Sequence, residues 1–392
     1  MAAELHPVEA ISRLGTETAF DVLARAEALA AQGRDIINLG IGQPDFKTPP
    51  HIVEAAIKAL RDGHHGYTPS PGIPELRKAV VEDIAKYRGV DVDPGRVVVV
   101  PGGKVTMFFA ILMFGEPGAE IMYPNPGFPI YESVINFTGA KAVPVPLLEE
   151  NDFSFDAESV LAAITPDTRL LIVNSPANPT GGTVARAEFD KLVAGLEAHP
   201  QVAVMSDEIY SRMTYDEQEH VSLLGYKELE DRLILLDGWS KTYAMTGWRI
   251  GYGVWPESLV EAATRLAVNC HSCVNAPTQF AAIEALRGPQ GSVDTMVAAF
   301  DERRGVIVDG LNDLPGVTCR TPGGAFYAFP NITGTGMDAH TLQNRLLEEA
   351  GVATIAGTSF GAYGEGYLRF SYANTVENIE TALGRMRDLL TR

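Results

Sequence analysis

Residues 232–255 read "RLILLDGWSKTYAMTGWRIGYGVW". Two apolar runs, 232–238 and 249–255, flank a loop that carries Lys241, and Arg249, eight residues on, opens the second run. A lysine beside a core is costly unless it has a solvated exit or a chemical task. Working outward, similar runs recur as "RVVVVPG" (96–102), "AEIMYP" (119–124), "KAVPVPL" (141–147), "RLLIVNSP" (169–176) and "VAVMSDE" (202–208). Stretches of helical periodicity lie between most of them, such as "RAEFDKLVAGLEAH" (186–199). Continuous apolar strands alternating with helices predict an α/β fold whose mainly parallel, seven-stranded sheet is sandwiched by helices. Ligands of such sheets bind beyond the strands' carboxyl ends, so the chemistry is expected just after each strand.

The bulk composition narrows the function. The 392 residues are 46% hydrophobic and 21% charged, as in an ordinary globular protein of two or three lobes. A net charge of −19 disfavours nucleic acid and anionic membrane surfaces as partners. The longest apolar run, "VTMFFAILMF" (105–114), is shorter than the ~18 residues of a membrane span and predicts a buried helix. "MAAELHPVEA" has no basic segment followed by an apolar one, so no export signal is expected. Three cysteines suggest no disulfide framework. A cytoplasmic protein is expected. The flanks read differently: 1–45 as an N-terminal arm and helix packing on a small domain, 46–275 as the large domain, and 276–392 as a small α+β domain.

The strand ends carry the candidate chemistry. "PGGKV" after the first strand brings Gly103 and the backbone of Lys104 to a helix start, where N–H groups converge on an anion; a tight turn is the plain alternative. It fails the G-x-x-x-x-G-K-[S/T] phosphate-loop pattern at Val105, which argues against a nucleotide phosphotransferase. Phe128 fits a ring-stacking face or the core. Asn178 offers a donor and an acceptor, or simply a turn. Asp207 closes an apolar strand, so a buried cation is expected against it: an arginine or a protonated pyridine nitrogen. Tyr210 follows three residues on, within reach of a phenolate. Lys241, partly desolvated, becomes a nucleophile toward carbonyls, and Arg249 offers a fork for a phosphate. Together these are the contacts that pyridoxal phosphate requires. "CHSC" (270–273) lacks further ligands at comparable spacing, so no metal site is expected.

The ordered set "NLGIGQPDF", "YTPSPGIPELR", "SPANPTGG", "SDEIY", "SKTYAMTGWRIGY" and "LRFSYA" resembles the class I aminotransferases of fold type I, nearest the bacterial aspartate aminotransferase-like subgroup. The resemblance spans about residue 11 to the C-terminus. It implies pyridoxal 5'-phosphate as cofactor, with Lys241 condensing with its aldehyde and then shuttling the proton of the substrate Cα. It implies Asp207 on the pyridine nitrogen, Tyr210 and Asn178 on the ring oxygen, Phe128 over the ring, and Gly103, Lys104 and Arg249 on the phosphate. Arg369, Asn178 and the backbone of Gly42 are implied at the substrate α-carboxylate. Tyr67 is implied to reach the phosphate of a neighbouring subunit in a homodimer. Cis bonds are implied before Pro126 and Pro179.

Two positions depart from that pattern. Gly238 stands where many relatives carry a phosphate-binding serine, leaving Ser240 as a possible substitute. Phe128 replaces a tryptophan frequent in aspartate-specific members, whereas Lys104 matches a lysine that some of them use for a distal carboxylate. The expected function is amino transfer from an amino acid, aspartate favoured, to a 2-oxo acid such as 2-oxoglutarate, by ping-pong half-reactions. The alternatives are an alanine or aromatic aminotransferase, or a β-lyase of the same fold.

Overall fold

The computed structural model describes residues 5–392. All seven anticipated runs form strands of one sheet: β1 Val97–Val100, β2 Glu120–Asn125, β3 Lys141–Pro146, β4 Thr168–Asn174, β5 Ala203–Asp207, β6 Leu233–Gly238 and β7 Gly251–Val254. Their spatial order is β1-β7-β6-β5-β4-β2-β3. Pairs from β3 through β6 are parallel, and β7 runs antiparallel to both β6 and β1.

Alternation along the strands divides the core. Val98 and Val100 pack with Met107, Phe109, Tyr131 and Ala263 from the helices Lys104–Phe114, Ile130–Thr138 and Glu257–His271. Val97 and Val99 face the opposite way, toward Ile52, Leu76 and Ile84 from Pro50–Arg61 and Pro74–Arg88. The apolar 105–114 run is therefore a helix buried against the sheet, as its length predicts.

The smaller lobe holds a three-stranded antiparallel sheet of Ile355–Ala356, Leu368–Ser371 and Tyr327–Ala328, packed on Gly291–Asn312 and Val376–Leu390. Ile37–Asn38 pairs in parallel with Val352–Ala353, which ties the N-terminal arm to this lobe. The helix Thr18–Ala31 buries Val22 and Ala26 in a cluster that includes Ala353 and Ile355.

One boundary needs correction. The small lobe was expected from residue 276, but helix Ala276–Arg287 buries Ala281, Ala282 and Ala285 in the same cluster as Val97, Leu235 and Trp239. Its alanine-rich face permits close approach to Pro50–Arg61, so this helix belongs to the large lobe.

Candidate active site

The carboxyl ends of β1, β2, β4, β5 and β6 open on a cavity of about 530 Å³, closed on its far side by the small lobe and by the start of the N-terminal helix. Lys241, Asp207, Arg249, Arg369, Asn178, Tyr210, Phe128, Gly103, Lys104, Ser240 and Gly42 all line it. Tyr67 does not; it is 94% exposed on the surface.

Arg249 precedes its strand instead of following it. Because β7 runs against its neighbours, its beginning lies at the edge where the other strands end. Arg249 adopts a left-handed backbone (φ 52°), uncommon for a residue of its size. Its Nη1 donates to the Thr246 carbonyl at 2.9 Å, and its other end lies over Gly102 at the start of helix Lys104–Phe114. Gly102 has φ 93°, a backbone that residues with a Cβ rarely adopt, and a Cβ there would push the Arg249 guanidinium off its place, 2.3 Å from Nη2. The cap Gly103 lies equally close to Gly251, where a Cβ would meet the Gly103 nitrogen at 2.3 Å. Helix N–H groups and a guanidinium thus converge as an anion cradle. At Gly238 a Cβ would stand 2.8 Å from the Gly251 Cα, so the close pairing of β6 with β7 leaves no room for a serine.

Asp207 ends β5 buried, and no cation pairs with it among the described residues. Of the two cations expected against it, an arginine or a pyridine nitrogen, the arginine is not there among the described residues. Its Oδ2 accepts from the Tyr131 hydroxyl at 2.6 Å and its Oδ1 from the Ile209 N–H at 3.3 Å. Burial outweighs both bonds and pushes the carboxyl up to about 6. Asn174 donates to the Asp207 carbonyl at 3.0 Å and accepts from the Asn178 N–H at 3.0 Å, joining the ends of β4 and β5.

Lys241 Nζ donates to the Gly42 carbonyl at 2.6 Å. Burial, reinforced by the Arg369 charge, lowers this amine to about 8, which raises its neutral, nucleophilic fraction near neutral pH far above that of an ordinary lysine. The Tyr210 hydroxyl shares a 2.8 Å hydrogen bond with that of Tyr327, and burial holds Tyr210 well above the ordinary phenol range.

Arg369 is 3% exposed and lies between the rings of Tyr327 and Phe360, each 4.7 Å from its central carbon. Nη1 donates to Asn178 Oδ1 at 2.9 Å and Nη2 to the Gly40 carbonyl, while Nε has no partner among the described residues. A buried guanidinium with an unused donor and no carboxylate against it suits an anionic ligand. Lys104 Nζ is instead bonded to the Glu17 carboxylate and lies 5.2 Å above the Phe128 ring.

The peptide bonds before Pro126 and Pro179 are cis, as the resemblance implies, and so is that before Pro176. Tyr131, Asn174, Tyr327, Phe360 and Glu17 also shape the cavity. Their roles were not read from sequence, because they come from a helix's first turn, a strand terminus, a two-residue strand and short turns without a distinctive pattern.

A mainly parallel seven-stranded sheet, with a lysine, an unpaired carboxylate and two arginines gathered at its carboxyl edge, defines a transferase of fold type I. Comparison with known proteins gives the family: the profile of "Aminotransferase class I and II" matches residues 34–386, and the chain belongs to it. The chain is 40% identical to an aspartate aminotransferase of Pyrococcus horikoshii over 92% of each sequence. Its structure is similar to that of the Rhizobium meliloti aspartate aminotransferase (TM-score 0.94, 34% identity, 99% and 100% of the two chains). It is also similar to an alanine aminotransferase from Pyrococcus furiosus (TM-score 0.91, 36% identity, 98% and 100%). The enzyme is an aminotransferase of the EC 2.6.1 class.

Proposed function

We propose that this chain transfers the amino group of an amino acid, aspartate foremost, to 2-oxoglutarate, using pyridoxal 5'-phosphate. The observation that carries the reading is the convergence of Lys241, Asp207, Arg249 and Arg369 in one cavity. The site fits the cofactor on its own chemistry. Its volume suits a cofactor with a small substrate, the Gly102–Arg249 cradle matches a phosphate, and Asp207 is buried without the cation that it needs. When bound, the cofactor supplies an electron sink for the substrate Cα carbanion.

The chain's own residues do the rest. Lys241 Nζ would hold the cofactor covalently through its aldehyde carbon and, once displaced by the substrate amine, would carry the proton from the substrate Cα to that same carbon, with the reverse transfer in the second half-reaction. Asp207 keeps the ring nitrogen protonated, and Tyr131 keeps Asp207 oriented. Tyr210 and Asn178 hold the ring oxygen, while Gly103, the backbone of Lys104, Ser240 and the Arg249 guanidinium adjoin the phosphate. Arg369, with Asn178 and Gly42, fixes the α-carboxylate so that one Cα bond stands across the ring, the orientation that breaks it. Phe128 covers the ring's face.

The aspartate assignment rests on the names of the Pyrococcus horikoshii and Rhizobium meliloti relatives and on Lys104; the Pyrococcus furiosus relative points to alanine as a second donor. All three transfer amino groups, which favours transfer over β-elimination. Tyr67 lies outside its own chain's cavity, as expected of a residue serving a second subunit in a homodimer. A reducing, cytoplasmic setting agrees with the free thiols of Cys270, Cys273 and Cys319.

Borohydride treatment of the cofactor-loaded protein followed by peptide mapping should locate the fixed cofactor on Lys241. Aspartate with 2-oxoglutarate should yield glutamate, and Lys241→Ala should lose both results. Fixation on another lysine would refute the assignment.

A further inference from the structure

Among the described residues, six charged side chains line the cavity: Lys241, Asp207, Arg249, Arg369, Lys104 and Glu17. The proposed reaction occupies the first four with the cofactor and the α-carboxylate. Lys104 and Glu17 remain, and they are bonded to each other across 87 residues of chain. Glu17 stands at the N-cap of helix Thr18–Ala31, yet its side chain makes no capping bond and turns to the lysine. The carboxylate is 17% exposed and the lysine 43%, so water reaches the pair and its net strength is that of a surface ion pair. Glu17 also faces inward, lining the same cavity as Lys241, Arg369 and Tyr327. The pair lines the same cavity as Arg369, together with the apolar Phe128, Phe20 and Leu23, and is the charged wall left free for a substrate side chain.

We propose that Glu17 is a specificity-determining residue: an internal carboxylate that occupies Lys104 until the distal carboxylate of a dicarboxylic substrate displaces it. An uncharged side chain leaves the pair closed and packs against the apolar wall. One cavity can then take a dicarboxylate in one half-reaction and an uncharged amino acid in the other, because neither leaves a bare charge on Lys104. Exchanging one carboxylate for another at a wet ion pair costs little, whereas breaking the pair for an apolar group would cost both charges their partner.

This rests on the amino-transfer reading, and the test separates the two. The dissociation constants of succinate and butyrate are measured calorimetrically on the cofactor-loaded protein, with loading checked by visible absorption. Glu17→Gln keeps the side chain's shape and removes the competing charge. It should raise the succinate-to-butyrate affinity ratio by about three- to tenfold. Lys104→Met should abolish the preference for succinate, and Glu17→Gln added to it should not change the ratio further. An unchanged or lower ratio in Glu17→Gln overturns the proposal, as does a rise that persists without Lys104. Loss of cofactor loading in the parent protein would instead overturn the amino-transfer reading.

Discussion

Asp207 and Glu208 are neighbours in the chain and both are buried, but they turn to opposite sides of the sheet. Asp207 faces the cavity with only a phenol and one N–H against it. Glu208 faces away, into Arg88 Nε at 3.0 Å, His220 Nε2 at 2.8 Å, the hydroxyls of Ser206 and Ser222, each at 3.0 Å, and the Leu223 N–H at 3.1 Å. Arg88 also binds Asp237. Burial alone would raise both acids. For Asp207 it wins, giving about 6; for Glu208 the His220 and Arg88 interactions overcome it, giving about 2. A satisfied acid holds the fold together. An acid left without its cation is a place for a ligand.

The largest expected effect separates the two by activity. Asp207→Asn, which cannot hold a proton on a ring nitrogen, should lower turnover by about 100- to 1000-fold with little loss of stability. Glu208→Ala should do the reverse, lowering the unfolding free energy by about 3–5 kcal/mol because Arg88 loses a buried partner. Turnover per folded molecule should then stay within a few-fold. Paired kcat and urea-unfolding measurements check both, and exchanged outcomes would break the contrast.

A smaller effect is expected in the pH dependence of stability of the cofactor-free protein. Glu208 drops from an ordinary 4.5 to about 2, so its contribution is complete above about pH 4.5 and is lost as pH falls toward 2. Asp207 rises from 3.8 to about 6, so its contribution is present below about pH 4 and is lost as pH rises through 6. Subtracting the Asp207→Asn stability profile from the parent profile should isolate the second trend. The smallest effect sharpens the comparison: Tyr131→Phe removes the 2.6 Å bond and should raise the Asp207 pKa further, slowing turnover by about tenfold or less. A carboxyl stretching band that titrates at higher pH in the variant would show it.

The same contrast explains what was legible in the sequence. The seven strands stood out because each is apolar on both faces, and Asp207 was conspicuous as a charge ending such a run. Glu208 follows the same run, but its partners Arg88 and His220 lie 120 and 12 residues away, and no local pattern joins them. The cavity's aromatic contributors were equally hidden, since Tyr131 lies in a helix and Tyr327 in a strand of two residues. The expected boundary at 276 failed for a related reason. The alanine-rich helix Ala276–Arg287 reads alike on either lobe, and only its packing partners decide. Arg249 was singled out as a fixed fork eight residues after Lys241, and not by the rule that chemistry follows a strand, which does not reveal a residue placed before an antiparallel one.

That reversed strand has a further consequence. The amine of Lys241 and the guanidinium of Arg249 are the two ends of one chain excursion, leaving the sheet at Gly238 and re-entering it at Gly251. The length of that excursion sets the spacing between the covalent anchor and the anion cradle, so insertions there would pull them apart. The excursion between Asp207 and β6 carries no such constraint beyond Tyr210. Length variation among related chains should therefore gather in the exposed stretch around Asp216–Glu219 and be missing between Gly238 and Gly251.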